Sequence, residues 1–220
     1  MIENISKVIA KKVSLELNYD LEKEEVIRYG TYAIIQTLIS IISVFIIGLI
    51  FRSAKEALVF LFTASILRKY SGGAHSESSN ICTFLGILIS TLVGILIKSK
   101  FLNEISFEAI LILLGVVFIF AYYIVLRFAP IDTPNKPIKT EKKKRRMKKG
   151  SLKILTIYLF IELLSAILYY NFKFYEAKPL MLSIIFGVAW QCLTLTQIGY
   201  ILLKAIDSFI NKLLNLKGMS

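Results

Sequence analysis

Histidine occurs once in this sequence, as His75, and cysteine twice, as Cys82 and Cys192. Two thiols in different settings do not make a disulfide framework, and one imidazole with two distant thiols does not make a zinc site, so neither a metal nor a cofactor is expected. The pair Gly72 and Gly73 lacks the lysine and the spacing of a phosphate-binding loop. The first 29 residues lack a short apolar core and carry six acidic side chains. Neither a removable signal peptide nor a transit peptide is therefore expected, and the chain is read as keeping its start. No internal repeat or separate soluble domain is evident, so residues 1–220 read as one domain.

What the sequence has in excess is hydrophobicity: 56% of residues are hydrophobic and the mean hydropathy is +0.68. That is too apolar for a water-soluble domain of this size. A helical span needs about 20 mainly apolar residues, whereas membrane barrels show alternating segments of about 10. The apolar runs here are continuous, which predicts an all-α integral membrane protein. Six spans are expected, at residues 30–51, 53–67, 81–97, 107–128, 152–170 and 180–203; Lys55 and Glu56 weaken the start of the second.

Amphipathic helices are expected at both ends. Ile2, Ile5, Ile9, Val13 and Leu17 recur about once per turn, with Lys7, Lys11 and Lys12 elsewhere around the helix. This suits either a helix lying on the membrane surface or one packed on the rest of the protein. Asp20 with Glu22, Glu24 and Glu25 suits the start of a second helix. The carboxyl tail sets Ile206, Phe209, Ile210, Leu213 and Leu214 against Asp207 and Lys212, again an interfacial pattern.

The formal net charge is +12, but nine basic against two acidic residues fall within residues 129–150. A local excess of this kind argues against nucleic acid and for the positive-inside rule: Lys142, Lys143, Lys144, Arg145, Arg146, Lys148 and Lys149 place a basic loop, 129–150, in the cytoplasm. Counting back two crossings puts residues 68–80 there too. With six spans both termini, including the segment 1–29, are cytoplasmic. The basic run reads as an anchor that binds membrane lipids or as a dock for an acidic peptide.

The stretch "RKYSGGAHSESSNIC", residues 68–82, is a polar interruption holding His75 and Cys82. A thiolate is the nucleophile, and a free cysteine with a pKa of about 8.5 needs a base or a positive field at neutral pH. His75 supplies a base, and Cys82 falls at a helix start where backbone N–H groups favour an anion; Ser79 or Asn80 is placed to cap it. In one continuous helix seven residues would hold the two side chains about 10 Å apart. A dyad therefore requires the loop to fold back, which Gly72, Gly73 and the serines permit. Two readings stand on the residues alone, a connecting loop with His and Cys by chance or a catalytic dyad. Cys192, inside "AWQCLTLTQ", reads as a buried, inert thiol.

The spacing of Arg68, Gly73, His75 and Cys82, together with "APIDTPNKPI" leading into the basic run, resembles the accessory gene regulator B (AgrB) family. The resemblance covers essentially the whole chain. It implies a membrane cysteine endopeptidase of a Gram-positive bacterium that removes the tail of an AgrD-like propeptide and promotes its cyclisation to a thiolactone or lactone signal. On that resemblance Cys82 is the nucleophile and His75 the base. Arg68 and Gly73 match the motif, Arg68 as a site residue or an interfacial anchor and Gly73 as a backbone requirement. A homodimer is compatible with the family. Oxyanion donors would come from backbone N–H groups near Ile81 and Cys82 or from the Asn80 side chain. Glu162, an ionisable group inside a span, would orient His75, contact substrate or pair structurally; Asp132 reads as an alternative orienting carboxylate or as a solvated loop residue. The competing class is a small-peptide transporter or export adaptor, with Gln36, Glu162, Gln191 and Gln197 along its path.

Overall fold

The computed structural model describes residues 2–74, 76, 78–132 and 140–217, all helix or short connection. The helices are α1 (Ile2–Glu16), α2 (Leu21–Ile50), α3 (Ala54–Ser71), α4 (Ser79–Lys98), the short α5 (Lys100–Asn103), α6 (Phe107–Phe128), α7 (Glu141–Phe172), α8 (Ala177–Leu193) and α9 (Gln197–Lys217). The all-helical expectation holds, and its apolar helices suit a multi-pass membrane protein.

Several starts follow from local chemistry. The Asp20 carboxylate accepts from the Lys23 N–H at 2.9 Å, Ser106 from Ala109 at 3.2 Å and Thr140 from Lys143 at 3.3 Å, each satisfying an orphan donor of a first turn. The acidic first turn of α2 was legible from sequence, and it opens one continuous 30-residue helix.

The span count differs from six. Four helices, α2, α4, α6 and α7, are long and apolar enough to cross a bilayer, or five if α8 and α9 form one broken span. Helix α3 does not qualify, and its position explains why it is polar at both ends. It runs through the middle of the bundle against α2, α4, α7 and α8. Small residues let its neighbours approach: a Cβ on Gly187 of α8 would lie 2.8 Å from Thr63, and one on Gly94 of α4 would lie 2.8 Å from Ala57. Leu67, Ile110, Leu155, Met181, Ile185, Val188 and Cys192 fill the core around it.

Two further expectations are corrected. The basic run is not a loop: Lys, Arg and Glu are good helix formers, Thr140 caps them, and they make the first turns of α7. The last predicted span is not straight, because α8 and α9 meet at 85° across residues 194–196. The Thr196 hydroxyl accepts from the Gly199 N–H at 3.2 Å and so starts α9 as a new helix. For α1, the packed reading is the one seen. Ser6, Ala10 and Ser14 are its buried face and pack on α2, while Ile5 and Ile9 stay exposed.

Candidate active site

One end of the bundle gathers the C-terminus of α3, the start of α4, the residues after α6 and the α8–α9 turn. Helix α3 stops at Gly72, whose φ of 69° only glycine adopts without strain, and Gly73 follows at 136°. Gln191, fully buried near the end of α8, donates from Nε2 to the Gly72 carbonyl at 2.7 Å and to Ser71 Oγ at 3.0 Å. The Ala74 N–H donates to the Thr194 carbonyl at 2.9 Å, and the Ile131 N–H to the Ser71 carbonyl at 2.9 Å. Gly73 lies so close to this support that a Cβ would fall 2.7 Å from Thr194 Oγ1. The loop is thus pinned from α8 and from the segment after α6.

Cys82 lies in the first turn of α4, half-buried and as a free thiol. Its N–H donates to the Ser78 carbonyl at 2.9 Å, so that N–H serves the helix and is not an oxyanion donor. Ser78, rather than Ser79 or Asn80, holds the N-cap position, and it makes no side-chain cap bond. Asn80 instead turns towards α2, accepting at 3.5 Å from Tyr32 Oη and Gln36 Nε2.

Arg68 bridges the two parts. Its Nη2 donates to the Ala74 carbonyl, and its Nε is buried without a partner among the described residues. Burial lowers the Arg68 guanidinium below its ordinary range, and coulombic interaction with Cys82 opposes that. Arginine stays charged under such a shift, so a fixed cation stands within electrostatic reach of the thiol. His75 lies outside the described residues, between Ala74 and Ser76, both of which are placed.

The remaining predicted residues fall in separate surroundings. Glu162 is fully buried in α7 on the same face as Tyr158 and Ser165, and its carboxylate oxygens have no hydrogen-bond partner among the described residues. Gly150, which abuts Tyr70 beside the loop, is twelve residues earlier on the same helix. That separation is about 18 Å along the axis, so Glu162 is not part of the loop's surroundings. Asp132 is exposed and directly follows Ile131 at the pinned corner. Lys142, Arg145, Arg146 and Lys149 line an open groove of about 580 Å³ with Glu141. Gln36 contacts Tyr32 at 3.0 Å, Gln191 holds the loop, and Gln197 is exposed at the α9 start. Cys192 is fully buried, as expected for an inert thiol.

Two residues of this end were not singled out by sequence as site support. Gln191 had been placed only along a transport path, and its signal was a lone amide near a helix break. Asp207 had been only a polar position of the tail; it is 4% exposed and accepts from Ser76 Oγ.

Comparison with known proteins agrees over nearly the whole length. The family model for accessory gene regulator B matches residues 3–195. An AgrB-like protein 2 of Clostridium perfringens strain 13 is 73% identical over 97% of this chain and 100% of its own, and an AgrB-like protein of C. perfringens strain SM101 is 72% identical over the same shares. Accessory gene regulator protein B of Staphylococcus intermedius is 26% identical over 90% of this chain and 95% of its own. No solved structure matches.

Proposed function

The chain belongs to the accessory gene regulator B family, which places it in quorum sensing, and we propose that it is a membrane cysteine endopeptidase that trims and cyclises an AgrD-like signal propeptide. The observation that carries this reading is the half-buried Cys82 thiol in the first turn of α4, with the Arg68 guanidinium within electrostatic reach and the loop bearing His75 pinned beside it. A connecting loop needs neither a half-buried arginine on its own carbonyl nor hydrogen bonds from the end of α8 and from the segment after α6.

In the proposed reaction Cys82 Sγ attacks the carbonyl carbon at the boundary between signal and tail. His75 takes the thiol proton, the C–N bond breaks, and His75 returns that proton to the leaving amine. The signal portion remains as a thioester on Cys82. An internal thiol or hydroxyl of the same peptide then attacks the thioester, closes the ring and expels the Cys82 thiolate. Thioester exchange is nearly balanced, but forming the first thioester from an amide is uphill. Substrate binding, exclusion of water and loss of the tail draw it forward. The Arg68 charge favours the negative charge that develops on the attacked carbonyl.

The loop and the basic half of α7 share the cytoplasmic side in this reading, since Tyr70 packs on Gly150 at the top of the basic turns. Reconstitution of the full chain in liposomes with the small propeptide encoded beside its gene tests the assignment. Cys82→Ala and His75→Ala abolish cleavage, whereas Cys192→Ala retains it. Full cleavage by a normally inserted Cys82→Ala protein would sink the reading and leave a transporter or export adaptor in its place.

A further inference from the structure

The carboxyl-terminal helix is part of the site's wall. After the 85° turn, α9 brings Leu203 and Ile206 onto Ala74 of the loop and onto Ile81, Leu85 and Ile89 of α4. The same face of α9 carries Asp207. A carboxylate buried in an amphipathic helix is costly unless it is hydrogen-bonded, and here Ser76 Oγ donates to Asp207 Oδ1. Ser76 follows His75 in the chain, and consecutive Cα atoms are about 3.8 Å apart.

Four attachments therefore converge on Gly72, Ala74 and Ser76, from the end of α8, from α3 and from α9. Gln191 and Thr194 hold Gly72 and Ala74, Arg68 holds the Ala74 carbonyl, and Asp207 holds Ser76. The first three lie on the amino side of the histidine. Among these four, the Asp207 bond is the one on the carboxyl side of the histidine, at Ser76.

We propose that Asp207 is a positioning residue of the peptidase site, which through its hydrogen bond with Ser76 fixes the histidine-bearing loop against the first turn of α4. This rests on the peptidase reading above. The tail helix then supports catalysis by holding this loop rather than only anchoring the protein at the membrane surface.

The test is steady-state cleavage of the gene-adjacent propeptide by the full chain in liposomes. Misplacing a catalytic group by about 1 Å costs about 100-fold, so Asp207→Ala and Ser76→Ala each lower kcat by about that factor and leave KM within about twofold. The double variant is no slower than Asp207→Ala, because Ser76 acts through Asp207. Asp207→Asn keeps an acceptor for the Ser76 hydroxyl and recovers most of the rate. Ser76→Ala removes only a half-buried hydroxyl, so it reports even where Asp207→Ala folds poorly. Unchanged kcat in Ser76→Ala, a change confined to KM, multiplicative losses in the double variant, or an Asp207→Asn as slow as Asp207→Ala each overturns the proposal. Cys82→Ala run alongside separates the two ideas: cleavage that survives it overturns the peptidase reading, whereas Cys82-dependent cleavage untouched by Ser76→Ala overturns the role of Asp207 alone.

Discussion

At one end of the bundle Lys55 meets Glu176 at 2.8 Å and Lys98 meets the buried Glu56 at 3.1 Å, tying α3, α4 and the α7–α8 connection together. At the other end Arg68 is spent on a backbone carbonyl, and of the basic residues on the first turns of α7 only Lys144 has an ion pair among the described residues, with Glu141 at 3.9 Å. The first end neutralises its charges within the fold. The second holds a polar loop by backbone and amide hydrogen bonds and leaves cations available. On the peptidase reading, a structural closure and a reactive surface differ in this way: one needs charge satisfied, the other needs geometry satisfied and charge in reserve.

The sharpest way to break that contrast is to disturb the geometry alone. In Gly73→Ala the new Cβ would lie 2.7 Å from Thr194 Oγ1 and 3.2 Å from Gln191 Nε2, at a φ of 136° that a side chain rarely adopts. The loop must shift off its support, and the expected outcome is a fall of about 100-fold in propeptide cleavage with insertion intact. Gly30→Ala, with nothing within 4 Å of its Cβ, is the matched control and keeps the wild-type rate. Equal rates in both variants would show that the pinned loop does not matter.

The sequence made most of the first end's helices legible and only part of the second end. Continuous apolar runs predict α4, α6 and the apolar parts of α2 and α7 within a few residues, because lipid-facing helices need apolar side chains all round. Lys55 and Glu56 spoiled the pattern for α3, since a helix at the centre of a bundle can carry charge where a partner waits, and partners such as Lys98 and Glu176 are distant in sequence. The break at residues 194–196 was hidden by apolar residues on both sides, although Thr196 before Gln197 is a capping signal. Cys82 at a helix start was legible, since Gly72 and Gly73 end one helix and the serines precede the next. The support from Gln191 and Asp207 was not, because each reaches more than a hundred residues along the chain, and periodicity reports only faces and turns.

Charge held in reserve is tested next. Lys142, Arg145 and Lys149 share one face of α7 on the open groove. If that face docks an acidic propeptide tail, replacing all three by Glu raises KM about tenfold and leaves kcat near wild type, and added salt weakens the wild-type advantage. Unchanged KM in a correctly inserted variant would assign the basic turns to membrane anchoring alone.

The smallest effect belongs to the neutralised end. Lys55, by its hydrogen bond and then by its charge, lowers the Glu176 pKa below its ordinary value of 4.5, and Lys98 adds to this. A carboxylate whose folded pKa is depressed contributes stability above its unfolded pKa and loses it as pH falls through the folded value. Both partners of the Lys55–Glu176 pair are more than half exposed, so solvent screening limits the contribution to about 0.5 kcal/mol. Glu176→Gln should therefore unfold at a slightly lower temperature than wild type at pH 7, and the difference should vanish once the pH drops below the depressed carboxyl pKa. Cleavage at neutral pH should not change, because Glu176 sits at the opposite end from Cys82. A pH-independent stability difference would show that the ion pair is not its source, and a loss of cleavage would show that the two ends are coupled through α3.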